Sequence, residues 1–190
     1  MQFWFRVLSH WPLWLLHALG HGVGALAWLL SPTYRRRFMA NARQAGWGWR
    51  QVWPAIGHAG AMSLELPRLW LGRPVPVQWA DDQAAVQAYA AGQGVIFLTP
   101  HLGCFEVTAQ ALAERFAPEH GPLTVLYRPA RQAGLAELMR SSRNRPGLQA
   151  VPTTLAGVRQ MIKALRQGQA VGLLPDQVPP EGMGVWAPFF

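Results

Sequence analysis

The hydrophobic positions divide the chain into an apolar N-terminal region and a longer region in which short apolar runs alternate with helical patterns. Residues 13–30 contain no Asp, Glu, Lys or Arg, and only His17 and His21 interrupt the apolar run. As a helix this run spans about 27 Å, just short of the ~30 Å hydrocarbon core of a bilayer. Pro32 ends it, and the arginines at 35–37 form the kind of flank that stays cytoplasmic. The pattern predicts a membrane-embedded or membrane-surface helix, with a buried core helix as the alternative.

The remaining pattern predicts helices first and then a sheet. Residues 38–79 have a helical period that Pro54 and Pro67 are expected to break. Beyond them, short apolar runs predict buried strands, and periodic segments between the runs predict helices. The strands are expected at 94–99, 123–127 and 170–174, and the helices at 103–116, at 131–143 and from Thr153 or Thr154 to Arg166. This alternation predicts an α/β fold, a mostly parallel sheet flanked by helices, following an N-terminal membrane-associated helix.

The composition supports a membrane-associated protein of one domain. The chain has 190 residues, of which 51% are hydrophobic and 14% charged, whereas an average soluble domain has roughly 25% charged residues. It also has ten tryptophans, side chains that favour membrane interfaces, and one cysteine, which excludes a disulfide scaffold. We therefore expect a membrane-anchoring helix at 1–33 and a catalytic or binding domain at 34–190.

The net charge of +8 indicates an anionic partner, either a phosphate-bearing molecule or an anionic membrane surface. Residues 128–166 hold basic side chains at eight positions and a single acid, Glu137. This block is interpreted either as an anion site or as a solvated helix face, and both interpretations stay open. Aromatic residues are nearly absent from it, so nucleic acid is not an expected partner.

Polar side chains follow each predicted strand, at the edge where ligands bind in open α/β sheets. They are His101 and Glu106 after the first strand, Arg128 after the second, and Asp176 and Gln177 after the third. An imidazole with a carboxylate five residues further on, across a strand-to-helix turn, predicts a general-base dyad. The alternative is a histidine that is merely hydrogen-bonded at a strand end, with Glu106 stabilising a helix N-terminus.

Two further patterns carry weaker chemistry. His17 and His21 have the spacing of a zinc-binding pair, but the glutamate of the metalloprotease motif and a third ligand are missing, so no metal site is predicted. Cys104 lies three residues from His101. It is expected to be a small buried apolar side chain rather than a nucleophile.

Taken in register, these motifs resemble the bacterial lipid A biosynthesis acyltransferase family, the lauroyl and myristoyl transferases of the lysophospholipid acyltransferase superfamily. The resemblance extends over nearly the whole chain. Its blocks are Tyr34–Arg37 with Asn41, the helix of Glu65, residues 94–103 with the His-x4-acid motif, Tyr127–Pro129 with the basic helix up to Arg145, Leu174–Gln177, and Ala187–Phe190. Cys104 and Phe105 stand where the family commonly has asparagine and tryptophan. Family members continue past the position of Phe190, so the domain is expected to be truncated at its C-terminus.

The resemblance implies transfer of a fatty acyl chain from acyl carrier protein, or from acyl-CoA, to a hydroxyl of a phosphorylated glycolipid at the cytoplasmic side of a bacterial inner membrane. His101 corresponds to the catalytic base and Glu106 to its acidic partner. Arg128 corresponds to an arginine that holds an acceptor phosphate, and Asp176 and Gln177 to a block that lines the pocket. No metal or bound cofactor is implied, because a thioester is already activated. A lysophospholipid or ornithine-lipid acceptor, or an inactive truncated membrane-surface protein, are the alternatives.

Overall fold

The computed structural model describes residues 2–73, 75–130, 132–143, 145–176, 182 and 185. The chain forms two compact units, one made of residues 1–76 and 131–138 and the other of residues 77–130 and 139–190. The predicted division into an anchoring helix at 1–33 and a catalytic or binding domain at 34–190 concerns the roles of these segments, and it stays a prediction.

The described residues of the first unit form four helices before residue 77. They are α1 (Gln2–Ser9), α2 (Leu13–Leu30), α3 (Pro32–Gln44) and α4 (Trp49–Leu71). The bounds of α2 confirm the helix predicted from the apolar run. The break before α3 has a local cause, because the Ser31 hydroxyl accepts a hydrogen bond from the amide of Tyr34 at 3.2 Å and Pro32 occupies the first helical turn.

The prediction that Pro54 and Pro67 break the second helical segment is wrong, because α4 runs through both prolines. Each proline removes one intrahelical hydrogen bond. The long contact between α4 and α2 offsets this loss, and Pro67 is itself buried. Tertiary packing therefore overrides the local preference.

Small residues bring α2 and α4 into close contact. Gly20 and Gly24 are both buried, and they face Gly60 and Ala61 of α4. A polar pair lies on the same interface. Nε2 of His17 is 2.9 Å from Oε2 of Glu65. Glu65 is only 9% exposed, and the imidazole supplies the partner that a buried carboxylate requires.

We expect Gly60→Ala to destabilise the first unit. A Cβ at this position would lie 2.5 Å from the amide nitrogen and 2.8 Å from Cα of Gly24, so the two backbones must separate. Overpacking of this kind costs about 1–3 kcal/mol, more than the gain in helix propensity of up to ~1 kcal/mol. Thermal unfolding in detergent, followed by circular dichroism, measures the difference. Gly22→Ala is the matched control, because nothing lies within 4 Å of a Cβ there. A Gly60→Ala chain as stable as this control would contradict the packing.

Among the described residues, α2 is the one helix that is long and apolar enough to cross a membrane. Only 17% of it is buried, whereas the core helix of a soluble protein is mostly buried. Its exposed side chains include six large apolar ones: Trp14, Leu19, Val23, Leu26, Leu29 and Leu30. Arg35 donates hydrogen bonds to the carbonyls of Trp28 and Leu29 at the C-terminal end of α2. This matches a membrane-associated helix with a basic flank.

The second unit is an α/β sandwich built on one parallel sheet. Its strands are β1 (Val95–Leu98), β2 (Leu123–Tyr127), β3 (Leu148–Pro152) and β4 (Ala170–Leu173), and the helices of this part of the chain are α5 (Gln83–Ala90), α6 (Phe105–His120), α7 (Ala133–Arg143) and α8 (Leu155–Arg166). The first six residues of α7 belong to the first unit. All paired strands are parallel, in the order β1-β4-β2-β3. The predicted α/β fold is confirmed, with β3 and α5 as additional elements.

Helices cover both faces of the sheet, because alternate strand residues point to opposite sides. The α5 and α6 face holds Tyr89, Val95, Leu112, Ala113, Phe116, Leu123, Leu148 and Ala170. The α8 face holds Val151, Met161, Ala164 and Val171. Helix α8 begins as expected at a threonine cap, where the Thr154 hydroxyl accepts a hydrogen bond from the Gly157 amide at 3.3 Å.

The strand order determines which loops meet at the carboxyl edge of the sheet. Strand β4 lies between β1 and β2, so the loop after β1 and the loop after β4 are neighbours although the chain separates them widely. The amide of Thr99 donates to the carbonyl of Leu173 at 3.1 Å and extends the ladder one residue past the end of β1. The residues that follow, His101 and Asp176, are thereby brought together.

Candidate active site

His101 and Asp176 form a doubly hydrogen-bonded pair at the carboxyl edge of the sheet. The amide of His101 donates to Oδ2 of Asp176 at 2.8 Å, and Nδ1 of its ring lies 2.7 Å from Oδ1. Gly103, with a φ of +58°, allows the chain to turn sharply between β1 and α6. The side chains of the pair are 31% and 37% exposed, so a substrate has access to the imidazole.

The contact with Asp176 defines the tautomer of the neutral imidazole. The two hydrogen bonds from His101, side chain first and backbone second, hold the pKa of Asp176 below its ordinary value. The carboxylate is therefore ionised at neutral pH and only accepts hydrogen bonds. Nδ1 must then carry the hydrogen, which leaves the lone pair on Nε2. This is the arrangement that a histidine general base requires.

The turn after His101 packs against the ring. Phe105 contacts the imidazole edge-on, with a centroid distance of 4.8 Å, which restricts the orientation of the ring from the side of α6. Cys104 occupies the N-cap position of α6 and is exposed. The expectation that Cys104 is buried is therefore wrong, because the turn between β1 and α6 lies at the surface edge of the sheet.

Glu106 lies in the first turn of α6, as predicted, and forms an ion pair with Arg143 from the last turn of α7. The contact is bidentate, with Nη2 of the guanidinium against Oε1 and Nε 3.3 Å from Oε2. The carboxylate and the guanidinium are 9% and 20% exposed. Because both groups are largely buried, removal of either one would leave the other without its charged partner in a poorly solvated place.

The aromatic ring of Tyr127 supports this ion pair from β2. The Arg143 guanidinium lies 5.9 Å from the ring centroid, within the range of a cation–π contact. Arg145 donates from Nη1 to Oε1 of Gln110 at 3.1 Å, one helical turn after Glu106. Two cations of the basic block, Arg143 and Arg145, therefore bind side chains of α6.

The other predicted site residues lie at the expected strand ends or outside the described residues. Arg128 directly follows β2 and is exposed. Gln177 lies outside the residues that the structure describes. The predicted acidic partner of His101 is Glu106, whereas in the structure Nδ1 of His101 is hydrogen-bonded to Asp176. A contact between Glu106 and Nδ1 would require Asp176 to give up or share this hydrogen bond, so the His101–Glu106 dyad stays a prediction.

Sequence reasoning did not single out Arg143 and did not pair His101 with Asp176. In the sequence Arg143 is one of the eight basic residues between 128 and 166, and only the fold shows that it contacts Glu106. Within the described residues, no group of three or more His, Cys, Asp or Glu side chains is placed to hold a metal ion.

The comparison with known families identifies the second unit. A sequence model of the family described as bacterial lipid A biosynthesis acyltransferase matches residues 75–190, more than half of the chain. The match includes the His101–Asp176 pair and the Glu106–Arg143 pair. The blocks at 34–41 and around Glu65 lie outside it, so the resemblance drawn there stays a prediction. No curated protein matches the sequence.

Proposed function

Because the chain belongs to the bacterial lipid A biosynthesis acyltransferase family, we propose that it transfers a fatty acyl chain from a thioester donor to a hydroxyl group of a phosphorylated glycolipid. Membership of this family means that the chain is an acyltransferase, which uses an acyl donor and a lipid acceptor. Acyl carrier protein as the donor, with acyl-CoA as the alternative, and a glycolipid of lipid A assembly as the acceptor are our proposals.

The observation that carries the proposal is the hydrogen-bonded His101–Asp176 pair at the edge of a parallel sheet. Nε2 of His101 removes the proton from the acceptor hydroxyl as its oxygen attacks the thioester carbonyl carbon. The C–O bond forms, the C–S bond breaks, and the leaving thiolate receives the proton from the imidazolium. The enzyme supplies a base, charge stabilisation and positioning, so no cofactor takes part.

Two carboxylates divide the supporting roles in this proposal. Asp176 holds Nδ1 of His101 and stabilises the imidazolium once the proton has moved. Glu106, in the first turn of α6 and paired with Arg143, is the acidic partner of His101 that the spacing of the sequence motif indicates. We propose that Arg128, exposed at the end of β2, binds an acceptor phosphate and that Gln177 adds to the same pocket.

A transfer assay tests the function. The purified chain in detergent micelles is incubated with a radiolabelled acyl carrier protein thioester and a phosphorylated lipid A precursor, and the lipid products are separated. We expect label in the glycolipid. Label found instead in an added lysophospholipid or ornithine lipid would replace the proposed acceptor, and a folded chain that transfers to none of them would be an inactive protein.

We also propose that the chain is bound to the bacterial inner membrane through α2, with the second unit on the cytoplasmic side. The exposed apolar side chains of α2 and the arginines that follow it support this orientation. Carbonate extraction of membranes that contain the chain is expected to leave it in the pellet. Recovery in the supernatant would contradict an embedded helix.

A further inference from the structure

The solvent face of α8 combines a basic stripe with an apolar stripe. Arg159, Lys163 and Arg166 are exposed and lie within one another's reach at helical spacings of three and four residues. Beside them lie Leu155, which is 78% exposed, and the exposed Val158 and Ile162. The opposite face of α8 packs on the sheet through Gly157, Met161 and Ala164, so neither stripe is needed for the core.

The cations of α8 form no ion pair with any residue that the structure describes. The helix itself contains no acidic residue. Like charges at these spacings destabilise a helix by roughly 0.2–0.5 kcal/mol per pair. Exposed apolar side chains next to the cations add no stability in water either. A binding partner with the opposite charge and its own apolar side chains accounts for both stripes.

We propose that this α8 face docks the acidic surface of an acyl carrier protein that carries the acyl thioester on a flexible arm; the inference rests on the proposed function. An anionic membrane is the competing occupant. Membrane-facing surfaces are rich in tryptophan and other aromatic side chains, and α8 has none. Five of the six exposed tryptophans that the structure describes instead lie in the first unit: Trp4, Trp14, Trp47, Trp49 and Trp53. The exposed tryptophans of the first unit therefore suit a membrane, whereas the α8 face, which has no aromatic side chain, suits a protein partner.

The position of α8 fits delivery of a thioester to His101. Strand β3 ends at Pro152 and α8 begins at Leu155, so its first turn lies at the carboxyl edge of the sheet, the edge that carries His101. From there α8 extends about 18 Å along the sheet. A carrier that docks on this face keeps its body away from the reacting atoms, and its flexible arm reaches the edge.

A binding experiment tests the surface without relying on catalysis. The full chain in neutral detergent micelles is titrated with purified holo-acyl carrier protein. We expect the variant Arg159→Glu/Lys163→Glu/Arg166→Glu to bind about tenfold or more weakly, and wild-type binding to weaken with rising salt. Arg159→Lys/Arg166→Lys, which keeps the charge, should retain the affinity. The matched control Arg36→Glu/Arg43→Glu/Arg50→Glu makes the same charge change in α3 and α4 and should leave carrier binding unchanged.

The outcomes separate the docking surface from the catalytic proposal. The triple glutamate variant of α8 is called the α8 reversal. If its dissociation constant for the carrier equals that of the wild type, the docking proposal is overturned. A wild-type chain that does not bind the carrier overturns it too. An α8 reversal that keeps carrier binding but loses binding to vesicles of anionic phospholipid assigns the face to the membrane. With a carrier-bound donor, the reversal should raise KM about tenfold with little change in kcat. Carrier binding without any transfer would support docking and contradict the proposed function.

Discussion

Replacing His101 by alanine is expected to lower kcat for acyl transfer by a factor of about 10² to 10⁴, the range that a positioned general base contributes. The fold should persist, because the imidazole is 31% exposed and contacts Phe105 and Asp176 at the edge of the sheet rather than in either core cluster. KM for donor and acceptor should change little, because the base acts on the proton as it moves in the transition state.

Two comparisons make the His101 result specific. His101→Gln keeps a side chain that can hydrogen-bond to Asp176 but cannot accept a proton, so it should be as inactive as His101→Ala. Imidazole added to the medium should restore part of the activity of the alanine variant, because a small base can enter the vacated space. Transfer by His101→Ala at more than a tenth of the wild-type kcat would remove His101 from the role of base.

The sequence predicts the elements of this fold well where hydrophobic periodicity is strong and local. Helix α2 has the predicted bounds because eighteen residues without charge leave little alternative. Strand β3 was missed because Leu148–Pro152 contains a glutamine and ends in proline, which hides its burial. The prolines of α4 were misjudged because the packing of α4 against α2 does not show in the sequence of α4 alone.

The candidate site was predicted residue by residue but not contact by contact. His101, Glu106 and Asp176 all follow from the rule that ligands bind at the carboxyl ends of strands. Which carboxylate meets the imidazole depends on the strand order, and β4 next to β1 is a tertiary fact that brings Asp176 to His101. Arg143, similarly, meets Glu106 across 37 residues of chain, a contact that no local motif predicts.

Asp176→Asn is expected to lower kcat by about 10²-fold, with wild-type secondary structure. The amide cannot stabilise the imidazolium by charge, and if it turns its NH₂ towards Nδ1 it favours the wrong tautomer. The pair is exposed, so the loss should be smaller than in a buried triad. Because His101 holds the pKa of Asp176 below its ordinary value of about 3.9, the carboxylate is ionised throughout the neutral range. The stabilising contact between Asp176 and His101 is therefore complete above the ordinary pKa of an aspartate, and it is lost as the pH falls through the lowered pKa of Asp176.

Glu106→Gln is the matched comparison, because it also replaces one carboxylate oxygen by an NH₂ group. Its main effect should be on stability, about 1–3 kcal/mol, since the Arg143 guanidinium, 20% exposed, loses its charged partner. Per folded molecule, its kcat should fall less than that of Asp176→Asn. Thermal unfolding and initial rates of both variants, measured between about pH 5 and about pH 8, separate the two effects.

The opposite ranking would reassign the partner of His101. If Glu106→Gln loses about 10²-fold in kcat at unchanged stability while Asp176→Asn retains activity, then the observed contact with Asp176 is replaced in the working enzyme, and the His-x4-acid pairing predicted by the sequence is the functional one. If both variants lose kcat to the same degree, the two carboxylates act as a unit, and the double variant should then be no worse than either single one.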